Sequence, residues 1–504
     1  MKKINKNKRL GEAVYKNLQN TFYLNNYAMR LVQENKINEA LSYYKKSISI
    51  DTNQPPIYFY IGLIYKELKE YIKAIEFFNI AVDLKYNDPE LYFNLANTQI
   101  KLNNLTESCL NYKKAILLNP QSDEYHNNLS LILKDLGRLD ESLVAINQAI
   151  LLNPQFDEYH NNLSLILKDL GRLDESLVAI NQAILLNPQN DEFQWNKATF
   201  LLALKNFKEG WHLYEKRHSV KKISLYNLKS TKPKWNGETN IGRLFIWSEQ
   251  GIGDQILFLS LLFEVLKSNN QIIVSTDKRL IKLLERSFKK IKFISSESHF
   301  SEINFDYQIS LSSLGSIYRK SHESFKSQPY SFLKANKIKS LKKQLGDNKV
   351  FGISWLSLNK ELGQFKSIKL EDLLPIFNIN IVTFVSLQYT NEDLKIKNFN
   401  NFYGTNILNI KNIDKFNDID SLISLISDCR LIITTSNVTA HLAGALGIKA
   451  YVLVPFGRGK IWYWSDQDQK SLWYPSIKIF NQSPNGSWKD AILNIEKEIK
   501  ETII

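Results

Sequence analysis

The 504-residue chain predicts an α plus α/β architecture: a helical solenoid followed by two Rossmann-like lobes that leave a cleft between them. Three observations carry this expectation. Residues 119–152 and 153–186 are identical over 34 positions except for Ser122 against Phe156, a repeat long enough for two short helices. Beyond residue 240, short apolar runs alternate with helical patterns of about 10–15 residues, as in parallel sheets. Two of the strand–loop–helix units there carry glycines or hydroxyl residues where a helix should begin, the usual place for a ligand in such sheets.

Composition narrows the class. A chain of this length has room for about three domains. An apolar content of 44% with 12% aromatics is that of a folded protein, not a disordered one. No apolar run approaches the roughly 18–20 residues of a membrane span. The basic start Met1–Leu10 lacks the apolar core of a secretory signal. Two cysteines, Cys109 and Cys429, lie far apart, which fits a reducing compartment and a cytoplasmic location. The net charge of +14 is uneven: residues 1–220 hold 26 Lys and Arg against 25 Asp and Glu, and residues 221–504 hold 39 against 26. That excess suits attraction of anionic substrates, although lysines scattered over solvated faces account for it equally. No dense basic patch interleaved with aromatics points to nucleic acid.

After an N-terminal extension (residues 1–20), counting by 34 places six units near residues 21, 55, 89, 123, 157 and 191, running to about 220. Small residues recur in register where paired helices must approach closely. Gly62, Ala96, Ser130, Ser164 and Ala198 mark the first helices, and Ala40, Ala74, Ser108, Ser142 and Ser176 the second. Pro120, Pro154 and Pro188 end three units. The period and the pattern resemble the tetratricopeptide repeat, which implies a concave groove lined by first helices. One groove position repeats as Asn26, Asn94, Asn128, Asn162 and Asn196, with Tyr60 as the exception. A side-chain amide both donates and accepts, so such a row can hold an extended peptide by its backbone. The general abundance of asparagine explains the same row without a ligand.

A polar linker (221–240) leads to the α/β half. Strands are expected at 241–247, 271–275 and 305–311 in a first lobe (241–345). In a second lobe (346–504) they are expected at 349–354, 381–387, 431–434 and 450–454, with a closing helix at 488–503. Gly251 and Gly253, in Trp247-Ser-Glu-Gln-Gly-Ile-Gly-Asp254, are expected to turn with positive φ. Asp254 then stands at the start of the next helix, where it serves either as an ionised acid–base group or as a helix cap. Ile256 takes the place of the third glycine of a dinucleotide fingerprint, which excludes an NAD site. In the second lobe Ser436, Asn437, Thr439 and His441 surround another helix start, suited to a diphosphate, and Arg458 and Lys460 follow the next strand. Capping explains the hydroxyls equally well, and packing against the sheet explains His441. Asp418-Ile-Asp420 and Asp466-Gln-Asp468 have the form of metal-binding pairs, but neither adjoins a phosphate loop, and no metal is expected.

Trp247–Asp254, Gly352-Ile-Ser-Trp355, Leu387-Gln-Tyr389, His441–Gly447 and Trp473-Tyr-Pro475, in this order, make the chain resemble bacterial fusions of tetratricopeptide repeats to a two-lobed glycosyltransferase of the GT-B type. The second half is similar to lipopolysaccharide heptosyltransferases and, more distantly, to protein O-GlcNAc transferase. The resemblance implies inverting, metal-independent transfer of a sugar from a nucleotide-sugar co-substrate to an acceptor hydroxyl, with no further cofactor. The first lobe would take the acceptor and the second the donor. Asp254 would be the general base, and Gly251, Gly253, Lys366, Ser436, Asn437, Thr439, His441 and Arg458 would bind the donor. Lys366 matches a phosphate-neutralising position. Ser436 stands where the heptosyltransferases generally carry an acid, and with Asn437 this points to an altered donor preference. The asparagine row resembles that of protein O-GlcNAc transferase and implies a protein acceptor or partner in the groove, against a glycan or lipid-linked acceptor on the heptosyltransferase analogy. The alternative of another class is a non-enzymatic scaffold for protein–protein interaction carrying a degenerate transferase domain.

Overall fold

The computed structural model describes residues 19–220 and 227–502, apart from residues 241, 269, 299, 301–302, 339–342, 346–348, 380, 412 and 465. Most of the N-terminal extension and part of the linker therefore lie outside the described residues. The chain divides into two compact units, residues 1–166 and 167–504.

Paired helices follow one another at a spacing of 34. They are α1 (Thr21–Gln33) and α2 (Ile37–Ile50), α3 (Pro55–Glu67) and α4 (Tyr71–Asp83), α5 (Pro89–Lys101) and α6 (Leu105–Leu118). Next come α7 (Asp123–Asp135) and α8 (Leu139–Leu152), α9 (Asp157–Asp169) and α10 (Leu173–Leu186), and α11 (Asp191–Ala203) and α12 (Phe207–Tyr214). The six expected units are present among the described residues. Their small residues do what the spacing requires: Ala40, Ala74, Ser108, Ser142 and Ser176 are completely buried. A Cβ on Gly62 would collide with the Phe78 ring, so α3 and α4 pack at a distance only glycine allows. In the duplicated pair, Ser122 accepts from the Tyr125 amide as the cap of α7. Its counterpart Phe156 instead packs against Tyr159 with the rings tilted at 47°, centroids 4.5 Å apart.

In the second unit, the first lobe is a four-stranded parallel sheet in the order β3-β2-β1-β4, with β1 Arg243–Trp247, β2 Gln271–Thr276, β3 Ile291–Ser295 and β4 Tyr307–Ser310. The second lobe carries eight strands in the order β10-β11-β12-β9-β8-β5-β6-β7. Its parallel core is β5 Val350–Ser354, β6 Thr383–Ser386, β7 Ile407–Leu408, β8 Leu431–Thr435, β9 Ala450–Val454 and β12 Ile477–Asn481. The short β10 (Asp466–Gln467) and β11 (Lys470–Ser471) run antiparallel at one edge. Two helices cover the cleft ends of these sheets: α13 (Ile252–Leu259) after β1 and α21 (Val438–Leu446) after β8, the numbers α14–α20 falling to the helices between them. The chain closes with α22 (Lys489–Thr502). Strands β5, β8 and β9 are buried at every residue, which is why they read as unbroken apolar runs in the sequence.

Three expectations need correction. The helical run that begins near Asp254 is not one helix: it breaks at Ser260–Leu261 into α13 and α14 (Leu262–Leu266). Strands β3 and β12 were not foreseen: β3 alternates Lys292 with buried Ile291 and Phe293, and β12 interrupts its apolar residues with Lys478. Gly251 has φ −64° and Gly253 lies inside α13, so neither glycine adopts the positive φ expected of it. Among the described residues no helix is long and apolar enough to cross a membrane.

Candidate functional site

Loops at the carboxyl ends of β1, β2, β5, β6, β8 and β9 converge on a cleft of about 230 Å³ between the two lobes. Its lining includes Gly251, Gly253, Asp254, Lys366, Ser436, Asn437 and His441, seven of the nine site residues foreseen in this half of the chain. Gly253 serves close approach: a Cβ there would lie 3.0 Å from His441 Cδ2, so α13 and α21 cross tightly at this point. The first lobe thereby meets the second beside the acidic residue.

Asp254 occupies the first turn of α13, but Gly251 takes the capping position, so the capping role is not the one Asp254 fills. Its Oδ1 accepts a 2.7 Å hydrogen bond from Tyr463 Oη of the opposite lobe. Burial raises its pKa above the ordinary carboxylate value, and the Tyr463 hydrogen bond and the Lys366 ammonium only partly offset that rise. The expectation that the helix start would dominate and leave a weakly basic carboxylate is therefore reversed, because desolvation outweighs the dipole.

Lys366 is buried, 4% exposed, and forms no ion pair or side-chain hydrogen bond among the described residues. Burial lowers its pKa, and the facing Asp254 pulls it back up. Near it, at the start of α21, the Ser436 and Thr439 hydroxyls are buried without a hydrogen-bond partner among the described residues. Ser436 lines the cleft; Thr439 sits behind it. Asn437 behaves differently. Its Oδ1 caps the Thr439 amide at 2.9 Å, and its Nδ2 donates to Ser354 Oγ and to the Leu356 carbonyl. That side-chain amide is consumed in holding two loops together and has little left for a donor. Arg458 does not reach the lining either, since its guanidinium stacks on Phe365 at 4.5 Å.

His441 is buried, with Nδ1 3.0 Å from Tyr474 Oη and with Tyr463, Trp464 and Tyr474 packed around its ring. Burial, and then the nearby Lys366, push its pKa down to about 3, so the imidazole is neutral. The sequence reading missed Tyr463, and also Arg279 and Lys415, which line the cleft from after β2 and from before α20 (Ile419–Ser427). Lys415 is buried and its pKa is pushed down to about 8. The run Ile461-Trp-Tyr-Trp464 after β9 was the available signal for Tyr463: an aromatic stretch beside a glycine loop. Asp418 caps α20 through the Ser421 amide, as its position suggested, while the side chain of Asp466 falls outside the described ones. Among the described residues no three His, Cys, Asp or Glu side chains gather as a metal-ligand set.

In the repeat array, Asn26 and Asn94 each donate their amide to the carbonyl four residues back, Phe22 and Glu90. Asn162 donates to Asn127, which donates in turn to Asn128. Asn196 is buried, 5% exposed. The amides of Asn26, Asn94 and Asn162 thus donate within the array, and Asn128 accepts there.

A family model of the tetratricopeptide repeat matches residues 55–88, 89–122, 123–156 and 157–190. The chain carries tetratricopeptide repeats, a class of module that binds protein partners. It is 27% identical over 331 residues to protein FlbA of Caulobacter vibrioides, covering 60% of this chain and 54% of that one. The chain thus spans about half the length of this curated relative. Among solved structures it is similar to YrrB, described as a TPR protein with an unusual peptide-binding site (21% identity, TM-score 0.35, 36% of this chain and 93% of that one). It is also similar to the MamA protein (20% identity, TM-score 0.33, 34% and 94%).

The state of His441 generates a pH prediction. Its folded pKa of about 3 lies far below the ~6.5 of a free imidazole, so the unfolded chain binds a proton that the fold refuses. Its contribution to stability is therefore complete above pH ~6.5 and is lost as pH falls from there toward the folded value. The melting temperature of the wild type should drop between pH 7 and pH 4.5, and His441→Asn should flatten that drop. Equal slopes in the two proteins would remove His441 as the titrating group.

Proposed function

We propose that the chain is an inverting, metal-independent glycosyltransferase that moves a sugar from a nucleotide-sugar donor to an acceptor hydroxyl, with the repeat array recruiting a protein acceptor or partner. The observation that carries this reading is the buried Lys366, which faces Asp254 but makes no side-chain hydrogen bond among the described residues, lining one cleft with the partnerless hydroxyl of Ser436 at the start of α21. A buried ammonium without a hydrogen bond is costly, and so is a buried hydroxyl without one. A diphosphate at this helix start would relieve both at once.

The chemistry follows from the two faces of the cleft. The acceptor oxygen attacks the anomeric carbon from the side opposite the diphosphate, and its proton passes to the Asp254 carboxylate as the new C–O bond forms. The bond to the leaving phosphate oxygen breaks in line, and Lys366 takes up the negative charge that develops there. A carboxylate whose pKa is raised by burial is a better proton acceptor than a solvated one, and such a base typically contributes roughly 10²–10⁴-fold. The neutral His441 adds no charge and fits a wall of the sugar pocket. Ser436, in place of an acid, makes the donor contact there a neutral hydrogen bond and points to a different donor sugar. It is also the observation that favours the second reading, a binding scaffold without turnover.

Two experiments test this. In a thermal-shift screen, at least one nucleoside diphosphate should raise the melting temperature, since a ligand at ~100 times its Kd adds about 2.7 kcal/mol. Lys366→Ala should abolish the shift, whereas Asp254→Asn should keep it and lower transfer at least about 100-fold. No shift with any nucleoside diphosphate at millimolar concentration would favour the scaffold. The second experiment concerns the array. The compact catalytic unit begins at Leu167, so a cut within the fifth repeat or later would damage it. Removal of residues 1–154 leaves α9 to α12 in place. This protein should bind the nucleotide as the full chain does and glycosylate its protein acceptor far more slowly; equal rates would mean that the first four repeats have no part in acceptor choice.

A further inference from the structure

The segment after β9, residues 455–464, reaches the cleft from the second lobe and is held by the last two repeats, not by its own lobe alone. A Cβ on Gly457 would collide with the Asp169 carbonyl, and one on Gly171 would lie 2.9 Å from the Phe456 ring. Further along, Trp462 meets Trp211 and Tyr214 of α12, with centroids 5.3 and 6.1 Å apart. The next residue, Tyr463, is buried and spends its hydroxyl on Asp254 Oδ1 at 2.7 Å. The same helix α12 grips the other side of the acid. Tyr214 Oη accepts from Gln250 of the glycine loop at 2.9 Å. Arg217, 1% exposed, donates to Glu249 at 3.0 Å and to Ser310 and Ser313.

We propose that Tyr463 is a positioning residue for Asp254, and that the final repeat pair fixes the two against each other by holding the Tyr463 segment on one side and the Ser248–Asp254 loop on the other. The proposal rests on the reading of Asp254 as general base. Its physical content is simple. Tyr463 occupies Oδ1, which fixes the plane of the carboxylate and leaves Oδ2, on the Gly251 side, to take the acceptor proton. A hydroxyl donating to a carboxylate favours its charged form, so Tyr463 also holds Asp254 more acidic than burial alone would leave it. The other groups acting on Asp254 are Lys366, which favours its ionised form, and Glu249, which opposes it. Tyr214, Tyr474 and the neutral His441 complete its surroundings. No array residue needs to touch the substrate for the array to matter to the reaction.

Tyr463→Phe removes one oxygen atom and keeps the ring. In the full-length protein, carboxyl-¹³C aspartate labelling, with Asp254→Asn to identify the signal, follows the titration of Asp254 without any substrate. Asp254 should titrate at higher pH in Tyr463→Phe than in the wild type. An unchanged titration in a variant that melts normally would overturn the proposal. Release of nucleoside diphosphate from a panel of nucleotide sugars supplies the second readout. The acidic limb of kcat/KM should move to higher pH and kcat should fall roughly tenfold, with KM unchanged. If the wild type releases nothing while the titration shifts as expected, the positioning contact stands and the transferase reading is what fails. Trp211→Phe, which shortens the brace without touching the cleft, should shift the titration in the same direction by less; a shift in the opposite direction would detach the array from the arrangement.

Discussion

Trp211 of the last repeat helix sits where the final repeat pair, the first lobe and the second lobe come together. A Cβ on Gly315 would overlap its ring, its indole N–H donates 2.7 Å to the Arg319 carbonyl, and its faces meet Phe258 and Trp462. An indole buried to 1% exposure with its one polar atom satisfied is among the most stabilising contacts a single residue makes. Around this residue the final repeat pair stops being a removable module. Ala198, Leu202, Phe207 and Tyr214 share one apolar cluster with β1, α13 and the segment around Trp473. The cleft is therefore a three-body construction, and the contacts on both sides of Asp254 lead back to α12.

That construction accounts for the electrostatics of the site. Closing two lobes and a helix pair over one carboxylate removes water from it, which raises its pKa, and the same enclosure lowers those of Lys366 and His441. The three shifts have one cause. They leave an acid that binds protons more readily, a cation faced by that acid and an imidazole that stays neutral. Such groups cost stability, and shifted pKa values of this kind gather at functional sites.

Much of the architecture was legible in the sequence. A 34-residue period fixed every helix pair of the array, since a repeat constrains all copies at once. The buried parallel strands β5, β8 and β9 announced themselves as mostly apolar runs, and Gly447 ends α21 with φ +72°. What escaped had physical reasons. Strands β3 and β12 lie at or toward sheet edges and carry lysines outward, which breaks the apolar signal. Gly253 was read as a turn former, when its purpose is the crossing of α13 with His441, a contact between residues 188 positions apart in the chain. The protonation of Asp254 depends on enclosure by residues more than 100 positions away, and no local pattern reports that. The asparagine row is a real periodicity, and the amides of Asn26, Asn94 and Asn162 donate within the array. The boundary of the compact unit, inside α9, also follows from packing alone.

The central claim is that Lys366 and the start of α21 form a diphosphate site. A crystal structure of the full chain with the nucleoside diphosphate that most raises its melting temperature tests this directly. The account predicts phosphate oxygens within hydrogen-bond distance of Lys366 Nζ and Ser436 Oγ, with Asp254 facing the terminal phosphate across the cleft. A diphosphate bound elsewhere, with Lys366 still buried and unpaired, would contradict it.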